Sequence, residues 1–389
     1  MPSDQSTWLI AVPNDGEAEG LYQELHPKLT HQSKNIGLSQ FEIPSFKTGT
    51  LDGLIGLSEE IPKQEAFFTA VVAKTVDTLR SLLNNDPAKL AMHVLVDERS
   101  VDDYLLRGWK WNEGRYGVHK DLREIVDSLN KEMNSMDNAM KAKLNNYNLV
   151  KGSLTQMQRK KIGNLSVRSL ADVVSKEDFV HDSEYLETLL VAVPRALVKE
   201  WNAKYERLTS MVVPRSSKLV ASDDEYSLFG VVLFRRVHDE FVQACRENKF
   251  LVREFTFSEE ELMKQREELE TADTTEKELW TELLRLSRTN FSESFQVLVH
   301  LKVLRLFVES VLRYGLPANY LGLVVKPDPK TAKKTLNVLQ SHFAYLGPRS
   351  SRAAQGKKGE EEELSAEYQS LMDQEFFDFV LFEVPWIIY

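Results

Sequence analysis

The sequence predicts a mixed α+β protein drawn out as an elongated dumbbell, with two α/β lobes joined by a neck of long antiparallel helices. Three observations predict it. Two long stretches lack glycine and proline, which cost a helix interior roughly 1 and 3 kcal/mol each. Both stretches carry apolar residues at spacings of three and four, the stripe of a helix that packs along one face. Short apolar runs bounded by turn residues lie outside and between them, as strands do.

The first stretch runs from Val118 to Lys151, and its stripe passes through Leu122, Ile125, Leu129, Met133, Met136, Met140, Leu144 and Tyr147 and on past Gly152 to Met157. That is a helix of ~40 residues and ~60 Å at 1.5 Å per residue. The second begins at Ser258-Glu259-Glu260-Glu261, a capping box, and ends at Tyr314 before the stop signal of Gly315 and Pro317. Its middle, Glu270 to Lys277, is charged, which predicts a break or a solvated section. Seams this narrow need a partner, because packing supplies most helical stability. Pairing the two antiparallel leaves a first lobe built from both ends of the chain and a second from its middle. The expected boundaries are 1–117 and 291–389 for the first lobe, 118–163 and 258–290 for the neck, and 164–257 for the second lobe.

In the first lobe the strand candidates are Trp8 to Val12, Leu54 to Leu57, His93 to Asp97, Leu321 to Val325 and Phe379 to Val384, with helices from Gln64 to Leu83 and Thr331 to Tyr345. In the second, Thr188 to Val193, Tyr226 to Phe234 and Leu251 to Phe257 read as strands. Helical patterns there run through Leu197, Trp201 and Tyr205 and from Val237 to Glu247. The segment from Gly347 to Glu363 has no aliphatic or aromatic side chain larger than those of alanine and proline to anchor a core and is expected to be a disordered loop.

With 389 residues, 42% hydrophobic and 28% charged, the chain can bury a sizeable core. Its net charge of -10 disfavours general attraction to nucleic acid or anionic membrane, so such contact needs a local basic patch. Cys245 stands alone, and His26 and His31 do not share a helical face, so neither a disulfide nor a Cys/His zinc site is expected. No run reaches the ~18 apolar residues of a membrane span, and Met1 to Gln5 lacks the pattern of a signal peptide; both favour a cytoplasmic protein.

Catalytic signatures are weak. A phosphate cradle requires a glycine-rich turn leading into a helix N-terminus. Gly49 to Gly56 has the wrong spacing, and Gly356-Lys357-Lys358-Gly359 lies in the expected loop. There is no Gly-x-Ser-x-Gly elbow. Cys245, on an apolar helix face, reads as a core thiol, and the pairs Asp102-Asp103 and Asp223-Asp224 read as solvated surface. The basic clusters Arg159-Lys160-Lys161, Arg235-Arg236 and Lys333-Lys334 read as solvated faces or protein-facing patches, not as a nucleic-acid interface.

Six blocks together carry a resemblance: Ile43-Pro44-Ser45-Phe46-Lys47-Thr48-Gly49-Thr50-Leu51-Asp52, Asn164 to Leu170, Glu177-Asp178-Phe179-Val180, Leu190 to Pro194, Arg253-Glu254-Phe255, and Glu309 to Pro317. In this order, over nearly the whole chain, they resemble the C subunits of the eukaryotic vacuolar-type proton-translocating ATPase (V-ATPase). Leu83 to Leu90, the Gly347 to Glu363 loop and the tail after Val384 lie outside the resemblance. It implies a non-catalytic stator subunit without cofactor, a foot lobe and a head lobe on a helical neck. The head would grip a peripheral stalk made of the E and G subunits. The foot would meet another stalk and the cytosolic N-terminal domain of the membrane-bound a subunit. Actin binding, reversible release from the enzyme and a cytoplasmic site on vacuolar or endomembrane surfaces are further implications. Arg168, Arg235, Arg236, Arg313 and Tyr314 are the candidate partner-binding residues, Arg168, Arg313 and Tyr314 being equally suited to bracing helix ends. The alternative is an adaptor for cytoskeleton or membrane with no connection to a motor.

Overall fold

The chain order is β1 Ser6–Pro13, α1 Ala18–Thr30, β2 Gly37–Glu42, α2 Leu51–Leu82, α3 Pro87–His93, α4 Val101–Asp103, α5 Leu122–Lys161, β3 Leu186–Pro194 and α6 Val198–Lys204. It continues with β4 Lys218–Ser222, β5 Tyr226–Phe234, α7 His238–Glu247, β6 Leu251–Arg253, α8 Glu259–Tyr314, β7 Tyr320–Lys326, α9 Ala332–Phe343 and β8 Val380–Pro385. The structure is a computed structural model and describes residues 2–14, 16, 18–181, 183–255, 258–347 and 377–387. Apart from Gly347, the expected disordered loop lies outside the described residues. Two compact units result, one of Met1–Lys143 with Glu282–Tyr389 and one of Leu144–Thr281.

The first unit is organised by an antiparallel sheet of order β2-β7-β1-β8. Alternation along β1 sends Trp8, Ile10 and Val12 to one face, where Leu25, Leu29, Leu336, Leu339 and Phe343 of α1 and α9 cover them. Leu9 and Ala11 face the other way, into a core shared with α2 and the parts of α5 and α8 in this unit. The sheet is thus buried on both sides. Gly322 of β7 leaves room for the Phe41 ring, since a Cβ there would come within 2.4 Å of Phe41 Cζ.

Helix pairing within each unit is read from contacts. Ser58 Oγ donates to Glu309 Oε1 at 2.6 Å and Arg305 Nη1 to Glu65 Oε2 at 2.8 Å, so α2 and α8 run in opposite directions. In the same unit Asn290 Nδ2 donates to Met136 O at 3.3 Å and Lys143 Nζ meets Glu282 Oε1 at 2.7 Å, an antiparallel pairing of α5 and α8. In the second unit the Tyr147 hydroxyl of α5 donates to Glu276 Oε1 of α8 at 2.8 Å.

The second unit has its own antiparallel sheet, of order β4-β5-β3-β6. Val191, Val193, Phe229, Val231 and Leu233 pack against Trp201 of α6 and Phe241 and Cys245 of α7. The opposite face, with Leu190, Ala192 and Leu228, is covered by Leu165, Leu170 and Val174 of the loop after α5.

The structure corrects the sequence reading in three places. Leu54 to Leu57 is not a strand: it lies in α2, which starts at Leu51 instead of Gln64, with the Thr50 side chain accepting from Gly53 N as N-cap. Burial of Leu54, Leu57 and Ile61 outweighs the cost of Gly53, Gly56 and Pro62 inside that helix. His93 to Asp97 is also no strand. It ends α3 and then forms a tight turn, Asp97 and Glu98 having φ of 48° and 62° between the single bridge partners Val96 and Arg99. Of the two outcomes expected for Glu270 to Lys277 the solvated section is the one found: α8 runs unbroken through it, none of its residues is buried, and an Asp273–Lys277 pair at 2.5 Å supports it. Asp223 is not a free surface acid, for backbone amides of its own turn and of the covering loop bind it.

Candidate partner-binding surface

The loop that covers the second sheet is held by charged groups. Arg253 of β6 donates to the carbonyls of Ser166 and, at 2.7 Å, Arg168. Asp223, in the β4–β5 turn, accepts from Tyr226 N and Leu165 N at 2.6 Å each and from Glu225 N at 2.9 Å. Burial raises the Asp223 carboxyl, but these amides and the nearby Arg168 guanidinium leave it below the usual carboxylate range. Two blocks quoted from the sequence, around Asn164 and Arg253, therefore meet to close one core. Asp223 was missed as part of this closure, although an aspartate two and three residues ahead of the amides it binds is the signal of an Asx turn.

Even-numbered positions of β5 face the loop. At the end of the strand Phe234 is 40% exposed, with Tyr185 at 71% and Met211 at 39%. The backbone gathers these three: Phe234 N donates to Met211 O at 3.2 Å, and Arg235 N to Tyr185 O at 2.8 Å. Arg235 and Arg236 follow directly, both exposed. Behind them His238 Nδ1 and Glu187 Oε1 are 2.7 Å apart and half-buried. Three exposed large side chains and two exposed arginines are thus brought to neighbouring backbone positions, a composition suited to protein contact.

The other candidate residues are placed differently. Arg168 is half-buried beside Asp223, in the closed loop. Arg313 Nη1 donates to the carbonyls of Phe377 at 2.8 Å and Phe379 at 3.0 Å. The Tyr314 hydroxyl donates to Ala11 O and accepts from Val380 N, both at 3.0 Å, joining the end of α8 to β1 and β8. Only Arg235 and Arg236 are brought together, and the sequence did not reveal Tyr185, Met211 and Phe234 as their neighbours.

Of the other groups singled out, Asp102 pairs with Lys326 at 2.5 Å and Lys161 with Asp172 at 3.4 Å. Cys245 is buried, and burial pushes its thiol up to about 12. Among the described residues no helix is long and apolar enough to cross a membrane.

Comparison with known proteins assigns this chain to the subunits of the vacuolar-type proton ATPase: the family model for the C subunit of V-ATPase matches residues 7–380. The chain is 41% identical over 340 residues to the C 1-B subunit of V-type proton ATPase from Danio rerio, with 87% of this chain and 89% of that one covered. To the C subunit of V-type proton ATPase from Manduca sexta it is 39% identical over 340 residues, with 87% and 88% covered. Among solved structures, the cytoplasmic N-terminal domain of the I subunit, homolog of the a subunit, of V-ATPase aligns over 87% of this chain and 97% of that one. The TM-score of 0.29 and identity of 11% are too low to carry an argument. The chain belongs to the family of V-ATPase C subunits.

Proposed function

We propose that the chain is a non-catalytic stator subunit of the proton pump, cytoplasmic and peripheral on the membrane when assembled. In this role it links the peripheral stalks, made of the E and G subunits, to the a subunit of the membrane sector, resists rotor torque and permits reversible assembly. The family match over residues 7–380 is the observation that carries this reading. It is supported by α5 and α8, of 40 and 56 residues, whose paired backbones suit a part that bears load. The surface of Tyr185, Met211, Phe234, Arg235 and Arg236 is the one we assign to the E/G stalk. A foot lobe and a head lobe gripping separate partners would add their affinities through effective concentration, so weakening one contact loosens the whole attachment.

The test is binding of the full chain to a purified E/G pair. The double variant R235E/R236E should weaken binding at least tenfold, as loss of paired interface charges does, with its melting temperature unchanged. Unchanged affinity would remove this surface from the proposal. Failure of the wild-type chain to co-purify with the assembled pump would remove the stator role itself.

A further inference from the structure

We propose that the groove between α1 and α9 is a binding site for a phosphate-bearing anion, held by Lys28, His31 and His342. The groove is an open cleft of 780 Å³ whose polar lining includes Lys28, His31, Gln32, Asn337, Ser341 and His342. Its floor is firm: Leu25 and Leu29 of α1 and Leu336, Leu339 and Phe343 of α9 are buried in one cluster beneath the sheet face they cover. The two helices therefore present their outward side chains at a fixed separation.

What marks the groove is that its lining holds basic groups and no carboxylate. Lys28 Nζ lies 3.2 Å from Nδ1 of His342, an ammonium hydrogen-bonded to an imidazole across the two helices. Among the described residues no carboxylate lies within ion-pair distance of Lys28 or His31. Burial and the Lys28 charge both hold the His342 imidazole below its usual value, and Glu24, one turn back on α1, is the acid that acts against them. Lys333 and Lys334, exposed and one helical turn before Asn337 and Val338, extend the positive face. In a chain of net charge -10 such a concentration of basic groups runs against the overall balance.

The donors fit an oxyanion with several oxygens. Lys28 has further ammonium hydrogens to offer, and the Gln32 and Asn337 amides, the Ser341 hydroxyl and the His31 ring supply donors from both walls. A phosphate monoester presents three acceptor oxygens and up to two charges, so it can take donors from both helices at once. The wide mouth leaves room for a substituent to stay in solvent. A free phosphate compound and the headgroup of a phosphoinositide share this chemistry, and the experiment separates the two.

Histidine ring signals of the full chain would be followed by NMR while inorganic phosphate replaces chloride at constant ionic strength. Saturable movement of the His31 and His342 signals is expected. K28Q should weaken the effect about tenfold, the worth of one charge-assisted hydrogen bond, and K74Q, on an exposed site of α2, should not. In parallel, the chain is sedimented with phosphatidylcholine vesicles with and without phosphatidylinositol 4-phosphate. Capture only by the phosphoinositide vesicles, lost in K28Q and competed by phosphate, identifies a lipid headgroup. Phosphate binding without capture identifies a soluble ligand. Signals that do not saturate, or that respond equally to K28Q and K74Q, would overturn the site, because diffuse charge then explains them. None of this depends on the stator reading.

Discussion

Among the described residues of the first unit Lys302 is the most deeply buried lysine or arginine, 2% exposed in the middle of α8, and its partner is Glu65 of α2. The same carboxylate accepts from Arg305 Nη1 at 2.8 Å, and the Arg305 guanidinium lies 4.1 Å from the centre of the Phe382 ring. Burial raises the Glu65 carboxyl, but Lys302 and Arg305 more than offset this and hold it below its ordinary 4.5. Replacing Glu65 by alanine strands a buried ammonium, which costs about 3–5 kcal/mol. Amides of α8 in this unit should then exchange roughly a hundred- to several-thousandfold faster, measured by mass spectrometry. Exchange is the right assay because a chain of two units need not unfold in one step. The double variant E65L/K302M, which removes both charges and keeps volume, should regain most of the protection. Equal loss in E65A and the double variant would refute the reasoning, since the deficit would then be packing and not an unpaired charge.

Three further outcomes are expected. Glu65 has a lowered folded value, so its stabilisation is complete above 4.5 and fades as pH falls; protection of α8 should decline on acidification in the wild type and less steeply in E65Q. Y314F should lower stability by about 1–3 kcal/mol in thermal melts, because Ala11 O and Val380 N lose their shared partner, while E/G affinity stays unchanged. Cys245, buried and with its thiol pushed up to about 12, should resist a thiol reagent in native buffer and react once denaturant opens the second unit.

What the sequence disclosed follows the strength of its periodic signals. β1, β3, β5, β7 and the two long helices were legible because their apolar residues repeat at a constant period and are buried in the structure. β2 and β4 were not, since most of β2 is only half-buried and β4 has no buried residue, leaving no alternation to read. α1 was hidden by its polar face and by Pro27 within it. For α2 the rule that excludes glycine from helices misled, because tertiary burial decided the matter. Exposed apolar side chains are the hardest to foresee: Phe234 has the same character as its buried neighbours, and nothing in its residue type marks it as exposed.

The placement of β1 has a consequence for biosynthesis. Its hydrogen-bonded neighbours are β7 and β8, so that among the described strands the earliest in the chain is sandwiched between two made more than 300 residues later. At roughly 5–20 residues per second, the ribosome keeps Ser6–Pro13 waiting for tens of seconds. The second unit, a single uninterrupted segment, meanwhile has all its own strands in hand. A message truncated between Thr281 and Tyr320 would thus yield a product with one finished unit and one raw, apolar strand, a ready mark for chaperones and proteases.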